Sequence, residues 1–252
     1  MIDIHSHLLP GVDDGSAEME ESLAMARSAA RQGIRKVIAT PHHNNGRYVN
    51  PAAEVRRAVA ELGDRLRQEG IPLDVLPGQE IRLTGRLLED WDAGQLLTLA
   101  DTPYILLEMM PDFEISHLAE AIHELKVRGL IPVIAHPERH PELARRPEWF
   151  GELVELGALG QVTSHSLLGR FGHMIRRAAF RMCREGTIHL VATDAHDLLR
   201  RGFDLKEAYE LIRKEFGLSY AELLEGNAEA LLRSETVQAA IQTRRWRKAW
   251  FF

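Results

Sequence analysis

The chain begins with two histidines whose spacing would let them share one metal ion. His5 and His7 form a His-x-His pair, which places both imidazoles on one face of an extended strand. Ile2 and Ile4 alternate with polar residues, as in a strand with one apolar face, and Leu8–Gly11 ends the run. Histidine fills 12 of 252 positions, so this pair alone is equally consistent with a polar strand end.

Nearly every other predicted strand also ends in a side chain that can bind a metal, which makes a metal site at the first pair a stronger interpretation. These residues are Asp14 (in the loop after the first strand), His42, Glu80, Glu108, His136, Asp194 and His196. With the two N-terminal histidines they supply nine nitrogen or oxygen ligands, more than one tetrahedral zinc can use. Two or three ions with bridging carboxylates and open positions for water would suit the set. Imidazole and carboxylate without thiolate point to Mn, Fe or Zn.

Positioning these residues requires an alternating β/α chain. The predicted strands are Ile2–His7, Lys36–Pro41, Val75–Ile81, Tyr104–Met109, Pro132–His136, Gly160–Thr163 and His189–Thr193. The predicted helices are Ala17–Gly33 (with Ser16 as N-cap), Ala52–Gly70, Ser116–Gly129, Pro147–Gly157 and Gly169–Gly186. About seven β-α units imply parallel strands with right-handed crossovers, in a barrel or a doubly wound sheet. Barrel enzymes carry their chemistry at the C-terminal ends of the strands, where the candidate ligands lie.

Composition narrows the class of protein. Hydrophobic residues make up 45% and charged residues 27% of the chain, as in ordinary soluble globular proteins. A formal charge of −6 argues against nonspecific nucleic-acid binding. The single cysteine, Cys183, excludes an internal disulfide and fits a reducing compartment. His5 follows the first Met too closely for a signal peptide to precede the site, and no run is long enough to span a membrane, so we expect a cytoplasmic protein.

The C-terminal segment differs from the rest of the chain. Thr243–Phe252 is basic and aromatic on an otherwise acidic protein. It could dock to an acidic partner or an anionic membrane surface. Alternatively, Trp246 and Trp250, spaced i and i+4, could pack a terminal helix on its own domain or a second subunit.

The whole array resembles a known family. The nine candidate ligands together resemble the PHP (polymerase and histidinol phosphatase) superfamily. Within it, the segments DIHSHLLPGVDDG, PHH, GQEIRL, IAHPERH and SLLGRFG resemble the bacterial CpsB/CapC/YwqE-type protein-tyrosine phosphatases. The resemblance runs from Met1 to about Leu232. It implies one distorted (β/α)7 barrel over residues 1–233, with residues 234–252 as a basic aromatic tail, and a centre of three divalent ions, usually Mn.

Carried over by position, the resemblance assigns each ligand to an ion. His5, His7, Glu80 and Asp194 would hold the first ion, Asp14, His42 and His196 the second, and Glu80, Glu108 and His136 the third. Arg139 and Arg201 match the phosphate-binding arginines of the family, although Arg200 could serve in place of Arg201. Thr163 stands where the family usually carries Asn, which puts one contact near the site in doubt.

The implied reaction is hydrolysis of phosphotyrosine in a protein. Relatives act on bacterial tyrosine kinases that control capsule or exopolysaccharide export, which would bring the protein near a membrane only through its partner or tail. The general acid stays open among His43, Asp197 and His165, and the oligomeric state stays open as well.

Three other functions stay open. A histidinol-phosphate type phosphatase would use the same metals. An amidohydrolase is disfavoured because the predicted fourth strand contains no lysine and ends at Glu108. A non-catalytic PHP scaffold is disfavoured because none of the nine ligands is missing.

Overall fold

The computed structural model describes residues 1–110 and 115–239. Nine β segments lie in it: β1 (Ile2–Ser6), β2 (Lys36–Ala39), β3 (His42–His43), β4 (Asp74–Pro77), β5 (Glu80–Arg82), β6 (Tyr104–Glu108), β7 (Ile131–Ala135), β8 (Leu159–Thr163) and β9 (Leu190–Ala192). They form two parallel sheets in the orders β1-β2-β4 and β3-β5-β6-β7-β8-β9.

The nine segments make seven barrel staves. β2 continues into β3 after Thr40-Pro41, and β4 continues into β5 after Gly78-Gln79, so each pair is one interrupted strand. An isolated parallel bridge between Ser6 and Ala195 joins the first stave to the last. The sheet therefore closes as a distorted (β/α)7 barrel, and the choice left open between a barrel and a doubly wound sheet is decided.

The helices cover the outside of the barrel. They are α1 (Met19–Arg31), α2 (Ala52–Gln68), α3 (Leu87–Asp92), α4 (Ile115–Val127), α5 (Pro141–Arg145), α6 (Glu148–Glu155), α7 (Ser164–Leu168), α8 (His173–Arg184), α9 (Leu205–Phe216) and α10 (Leu218–Leu232). Two short 3₁₀ turns cover Leu99–Asp101 and Pro137–Arg139. The five helices predicted from periodicity all occur, and their faces bury residues such as Leu23, Leu62 and Ile122 in one large apolar cluster.

Three expectations about these elements need correction. Ser16 is not the N-cap of the first helix, because the helix begins at Met19 and the Ser16 hydroxyl donates to the Glu18 carbonyl. The helix predicted from Gly169 begins only at His173. The α9–α10 pair was not predicted, although its buried residues, among them Tyr209 and Leu224, pack in the same core.

The C-terminal end of the described chain lies against the barrel. Tyr104 is buried, its hydroxyl donates to the Glu235 carbonyl, and the Val237 N–H donates to the same hydroxyl. The predicted division between residues 233 and 234 stays a prediction. The basic aromatic segment 244–252 lies outside the described residues. Within the described residues, no helix has the length and apolarity needed to cross a membrane.

Candidate metal centre

All nine candidate ligands lie at one end of the barrel. The end of each stave or the loop that follows it supplies them, except for the sixth, β8. Seven are buried, whereas Glu108 is half-buried and Asp14 is exposed. Ligand atoms of eight of them, all except His136, form three overlapping groups, and within each group the atoms lie inside 4.8 Å of one another. The groups are His5, His7, Glu80 and Asp194; His7, Asp14, His42 and His196; and His42, Glu80 and Glu108.

The first group has the dimensions of a metal cage. His5 Nε2 lies 3.4 Å from both Glu80 Oε2 and Asp194 Oδ1, and His7 Nε2 lies 3.3 and 3.2 Å from the same two oxygens. The two Nε2 atoms lie 3.3 Å apart. The centre of a tetrahedron with such edges is ~2.0 Å from each corner, which matches Zn–N and Zn–O distances. The group therefore fits a first-row divalent ion.

The other two groups share His42. Its Nε2 lies 3.4 Å from Asp14 Oδ1, and its Nδ1 lies 2.9 Å from Glu80 Oε2 and 3.7 Å from Glu108 Oε2. His196 Nε2 lies 3.5 Å from the same Asp14 oxygen. His42 thus faces two groups, whereas the resemblance placed it in the second alone.

His136 contacts its predicted set through Glu80. Its Nε2 lies 2.8 Å from Glu80 Oε1, not inside the group that contains Glu108. Burial, reinforced by nearby Arg139, lowers the pKa of His136 to about 4. The ring is therefore neutral at pH 7 and keeps a lone pair for a ligand.

Buried polar atoms without hydrogen bonds indicate a cation-binding site. Five ligand-type atoms in the cluster are buried and make no hydrogen bond of acceptable geometry: His42 Nδ1, Glu80 Oε2, Glu108 Oε2, Asp194 Oδ1 and His196 Nε2. Of these, Glu108 Oε2 still has an ion-pair partner in Arg82. Buried polar atoms normally have partners, so such a concentration at one point needs an explanation. A bound ion would satisfy these atoms together.

The pKa values of the acids reflect the same crowding. Burial and then the neighbouring Glu80 raise the pKa of Glu108 to about 7. Burial would also raise the pKa of Glu80, but the charges of His5 and His42 outweigh burial and hold it well below its usual range. Divalent cations would relieve the repulsion between these carboxylates.

Two residues that the sequence did not single out orient the first histidines. His7 Nδ1 donates to Asp13 Oδ2 at 2.6 Å, and His5 Nδ1 donates to Gln161 Oε1 at 2.8 Å. Such partners fix the tautomer, leaving Nε2 free to bind a metal. Position in the DDG loop was the only signal for Asp13, and nothing in the sequence marked Gln161.

Glycine allows the Asp13 loop to fold over His7. A Cβ on Gly15 would lie 2.1 Å from the His7 carbonyl oxygen, so no side chain fits there. The Ser16 N–H donates to that same oxygen at 3.2 Å.

The two predicted phosphate-binding arginines converge on Asp194. Arg139 and Arg201 both donate to Asp194 Oδ2, while Oδ1 of the same carboxylate faces the first group of ligands. The Phe171 ring lies 5.2 Å from the Arg139 guanidinium carbon and 5.9 Å from that of Arg201. Arg200, the alternative to Arg201, is exposed and makes no side-chain contact of this kind.

A cleft opens beside this pair. It has a volume of about 270 Å³, and Arg139, His136 and Glu108 line it together with Arg82. Arg82 Nη2 lies 2.8 Å from Glu108 Oε2, an arginine contact that sequence reasoning missed although GQEIRL contains it. The cleft can hold an anion between guanidinium groups and the ligand cluster.

None of the three candidate general acids contacts the ligands through a hydrogen bond. His43 Nδ1 donates to the Asn50 carbonyl, Asp197 Oδ1 accepts from backbone N–H groups of its own loop, and His165 Nε2 lies 3.1 Å from Asp204. Thr163 donates its N–H to Glu138 rather than contacting the ligands.

Comparison with known proteins identifies the family. The family described as "Capsular polysaccharide synthesis, CpsB/CapC" matches residues 1–233. The chain belongs to this family. The resemblance found in the sequence is confirmed.

Individual relatives agree along the whole domain. The chain is 48% identical to tyrosine-protein phosphatase YwqE of Bacillus subtilis, over 94% of this chain and 93% of that protein. It is 30% identical to tyrosine-protein phosphatase CpsB of Streptococcus agalactiae, over 94% of this chain and 100% of that protein. The enzyme class predicted from the sequence, a metal-dependent protein-tyrosine phosphatase, is confirmed at the level of the family.

Solved structures agree on the fold. A crystal structure from work on YwqE of Bacillus subtilis and CpsB of Streptococcus pneumoniae, described there as "unique metal-dependent tyrosine phosphatases", superposes with a TM-score of 0.93. It is 46% identical and covers 98% of this chain and 100% of that one. A TatD-family hydrolase of Entamoeba histolytica shares the fold alone, at 11% identity and a TM-score of 0.56 over 94% of this chain and 98% of that one. The predicted barrel is confirmed.

Proposed function

We propose that this protein hydrolyses phosphotyrosine in proteins, using three divalent ions, most often Mn, with Fe or Zn as alternatives. The observation that carries the proposal is the convergence of nine ligand side chains, with unpaired buried atoms, beside two guanidinium groups that share one carboxylate. The protein-tyrosine phosphatase activity of its relatives supports the choice of substrate.

The proposed ligands follow the three sets predicted from the sequence. His5, His7, Glu80 and Asp194 would hold the first ion, Asp14, His42 and His196 the second, and Glu80, Glu108 and His136 the third. The contacts of His42 with Glu80 and Glu108 make it an additional candidate for the third. When bound, the ions would supply Lewis-acid activation of water and neutralise phosphate charge.

The arginines would orient the phosphate group. Each guanidinium presents a planar fork that matches phosphate oxygens, and Asp194 pairs with both of them. Arg139 also lines the cleft. A buried carboxylate that pairs with both of them fixes their position before substrate arrives. Charge that develops on the phosphate oxygens would then meet donors already in place.

The tyrosine leaving group needs little general-acid catalysis. A tyrosine phenolate has a pKa of ~10, so weak proton donation suffices. A cysteine-based mechanism does not fit, because Cys183 is buried in α8 and burial raises the pKa of its thiol to about 12.

The finer physiological statements are also proposals. We infer a cytoplasmic enzyme whose substrate is a bacterial tyrosine kinase that regulates capsule or exopolysaccharide synthesis. The capsular description of the family supports this pathway. In this proposal residues 1–233 form the catalytic domain, and residues 234–252 form a basic aromatic tail that packs on its own domain or a second subunit, or docks to an acidic partner or an anionic membrane surface.

Metal analysis of the purified protein combined with a substrate comparison tests the proposal. We expect about three equivalents of metal and a higher kcat/KM for a phosphotyrosine peptide than for histidinol phosphate. Preference for histidinol phosphate would refute the protein substrate. Full activity of a metal-loaded His136→Ala variant would refute the catalytic centre.

A further inference from the structure

Helix α8 carries a cationic groove apart from the ligand cluster. Five residues at i, i+3, i+4, i+7 and i+11 share one face of this helix and line a groove of about 260 Å³. They are His173, Arg176, Arg177, Phe180 and Arg184. The groove is distinct from the arginine pair that would bind the reacting phosphate.

The groove arginines have no acidic partners among the described residues. No carboxylate lies within 4.0 Å of Arg176, Arg177 or Arg184, whereas Arg181 on the same helix pairs with Glu148 and Glu185. This unpaired positive charge occurs on a chain whose formal charge is −6. The overall charge of the chain therefore does not explain the positive charge of this groove.

Phe180 orders two of these arginines at the base of the groove. The guanidinium carbons of Arg176 and Arg184 lie 5.0 and 5.8 Å from its ring centre. Arg176 also donates its Nε–H to the Leu167 carbonyl. Cation–π contacts hold each head group while leaving its remaining donors for a ligand.

The groove begins beside the active site. Phe171, which contacts Arg139 and Arg201, precedes His173 by two residues, a separation of at most ~7 Å along the backbone. Helix α8 also packs against the Pro137–Arg139 turn that carries Arg139 and against α5, whose Pro141 lines the cleft. A peptide leaving the cleft on this side would run along α8.

We propose that this groove binds an acidic segment of the substrate protein next to its phosphotyrosine. This inference rests on the proposed phosphotyrosine activity. From His173 to Arg184 the face is ~16 Å long, or about five residues of extended peptide. The required anions are carboxylates or a second phosphotyrosine close in sequence to the reacting one. The basic segment 244–252 of this chain has the wrong charge to occupy the groove.

The test compares peptides and surface variants of the metal-loaded enzyme. The peptides carry one phosphotyrosine flanked on either side by glutamates, by a second phosphotyrosine, or by neutral residues. The double variant Arg177→Gln/Arg184→Gln removes two charges and leaves Arg176 and its backbone contact intact. Arg57→Gln on α2 is the control, because Arg57 is exposed and makes no ion pair among the described residues.

We expect the double variant to raise KM for acidic peptides about three- to tenfold, since each exposed charge pair contributes modestly. Its kcat on a small aryl phosphate and its KM for the neutral peptide should change less than twofold, as should every value for Arg57→Gln. The difference between wild type and variant should shrink in 0.5 M salt (about 4 Å Debye length). The glutamate and phosphotyrosine arms show which anion the groove favours.

Binding of an acidic peptide with Phe in place of phosphotyrosine separates this inference from the proposed activity. Weaker binding to the double variant by fluorescence anisotropy supports the groove even if no phosphopeptide is hydrolysed. Equal dissociation constants for wild type and double variant overturn it. Loss of binding to vesicles of anionic lipid, or of self-association, without any effect on peptides would also overturn it, in favour of a membrane or a second copy.

Discussion

The two arginines that pair with Asp194 should contribute jointly to the free energy of unfolding, because either one can stabilise the buried carboxylate. A double-mutant cycle can measure this coupling. The Asp194 side chain is 2% exposed, and both Arg139 and Arg201 donate to its Oδ2. Removing one arginine leaves the other, so Arg139→Gln or Arg201→Gln should each lower the free energy of unfolding by about 1 kcal/mol. Removing both leaves a buried carboxylate without a guanidinium partner, which costs about 3–5 kcal/mol. The coupling energy is therefore roughly 1–3 kcal/mol.

Metal should weaken this coupling, which gives the experiment an internal control. Oδ1 of Asp194 faces the first ligand group, so a bound cation would replace part of the missing positive charge. Urea unfolding would be measured in EDTA and in metal, at about pH 8.5, where histidine with its ordinary pKa of about 6.5 is neutral. Burial lowers the pKa of His5 and His7, but the neighbouring carboxylates raise it more, so that both pKa values lie above the ordinary one. Protonated histidine that persists at this pH would reduce the measured coupling energy.

The same variants test catalysis. If each guanidinium stabilises charge on the phosphate in the transition state, each single variant should lose about 100- to 1,000-fold in kcat with a small aryl phosphate. Additive losses of stability in EDTA would refute the shared role of Asp194. Single variants that retain kcat/KM within about threefold would refute phosphate binding by the arginines.

Three further predictions concern the surroundings of the site. Asp13→Asn removes the carboxylate that accepts from His7 and should weaken metal binding about 10- to 100-fold, as measured by titration with a competing chelator. His189 is buried and accepts from the Gly160 N–H, and burial lowers its pKa to about 4; it therefore stays neutral in the folded state while the unfolded chain gains a proton below about pH 6.5. Wild-type stability should thus fall by about 3 kcal/mol more than that of His189→Asn between pH 6.5 and 4 in EDTA, and parallel curves would contradict this. Gly15→Ala must displace the His7 backbone and should destabilise the protein by about 2–4 kcal/mol by urea unfolding, whereas Gly46→Ala, at a glycine with open space and positive φ, should cost about 1 kcal/mol.

Sequence reasoning succeeded where a general rule of parallel barrels applies. The C-terminal ends of the strands meet at one face of a parallel barrel. The sequence therefore predicted that His5, His136 and Asp194 lie close together, although 189 positions separate the first from the last. Apolar runs such as Tyr104–Glu108 located the strands to within one or two residues. The hydrophobic pattern therefore predicted which side chains share the mouth of the barrel.

The finer arrangement depended on side-chain contacts that no periodicity encodes. His42 could face one ligand group or two, and only its ring position decides that both nitrogens have acidic neighbours. Gln161 reads as an ordinary residue of β8 until the fold places it 2.8 Å from His5. Ser16 satisfied the sequence rule for an N-cap, yet the helix begins three residues later and the Ser16 hydroxyl donates to the Glu18 carbonyl instead of accepting from a helix N–H.

The two interrupted staves explain how one barrel can concentrate so many ligands. Regular pairing is interrupted between Ala39 and His42, where Pro41 has no N–H to donate, and between Pro77 and Glu80. Gly78 in the second break lies so close to Ile38 that a Cβ would be 2.7 Å from its side chain. Pairing resumes with His42 opposite Glu80 in parallel register. The two adjacent strands are therefore interrupted at the same level of the barrel. Where they resume, an imidazole and a carboxylate lie side by side at the centre of the ligand array.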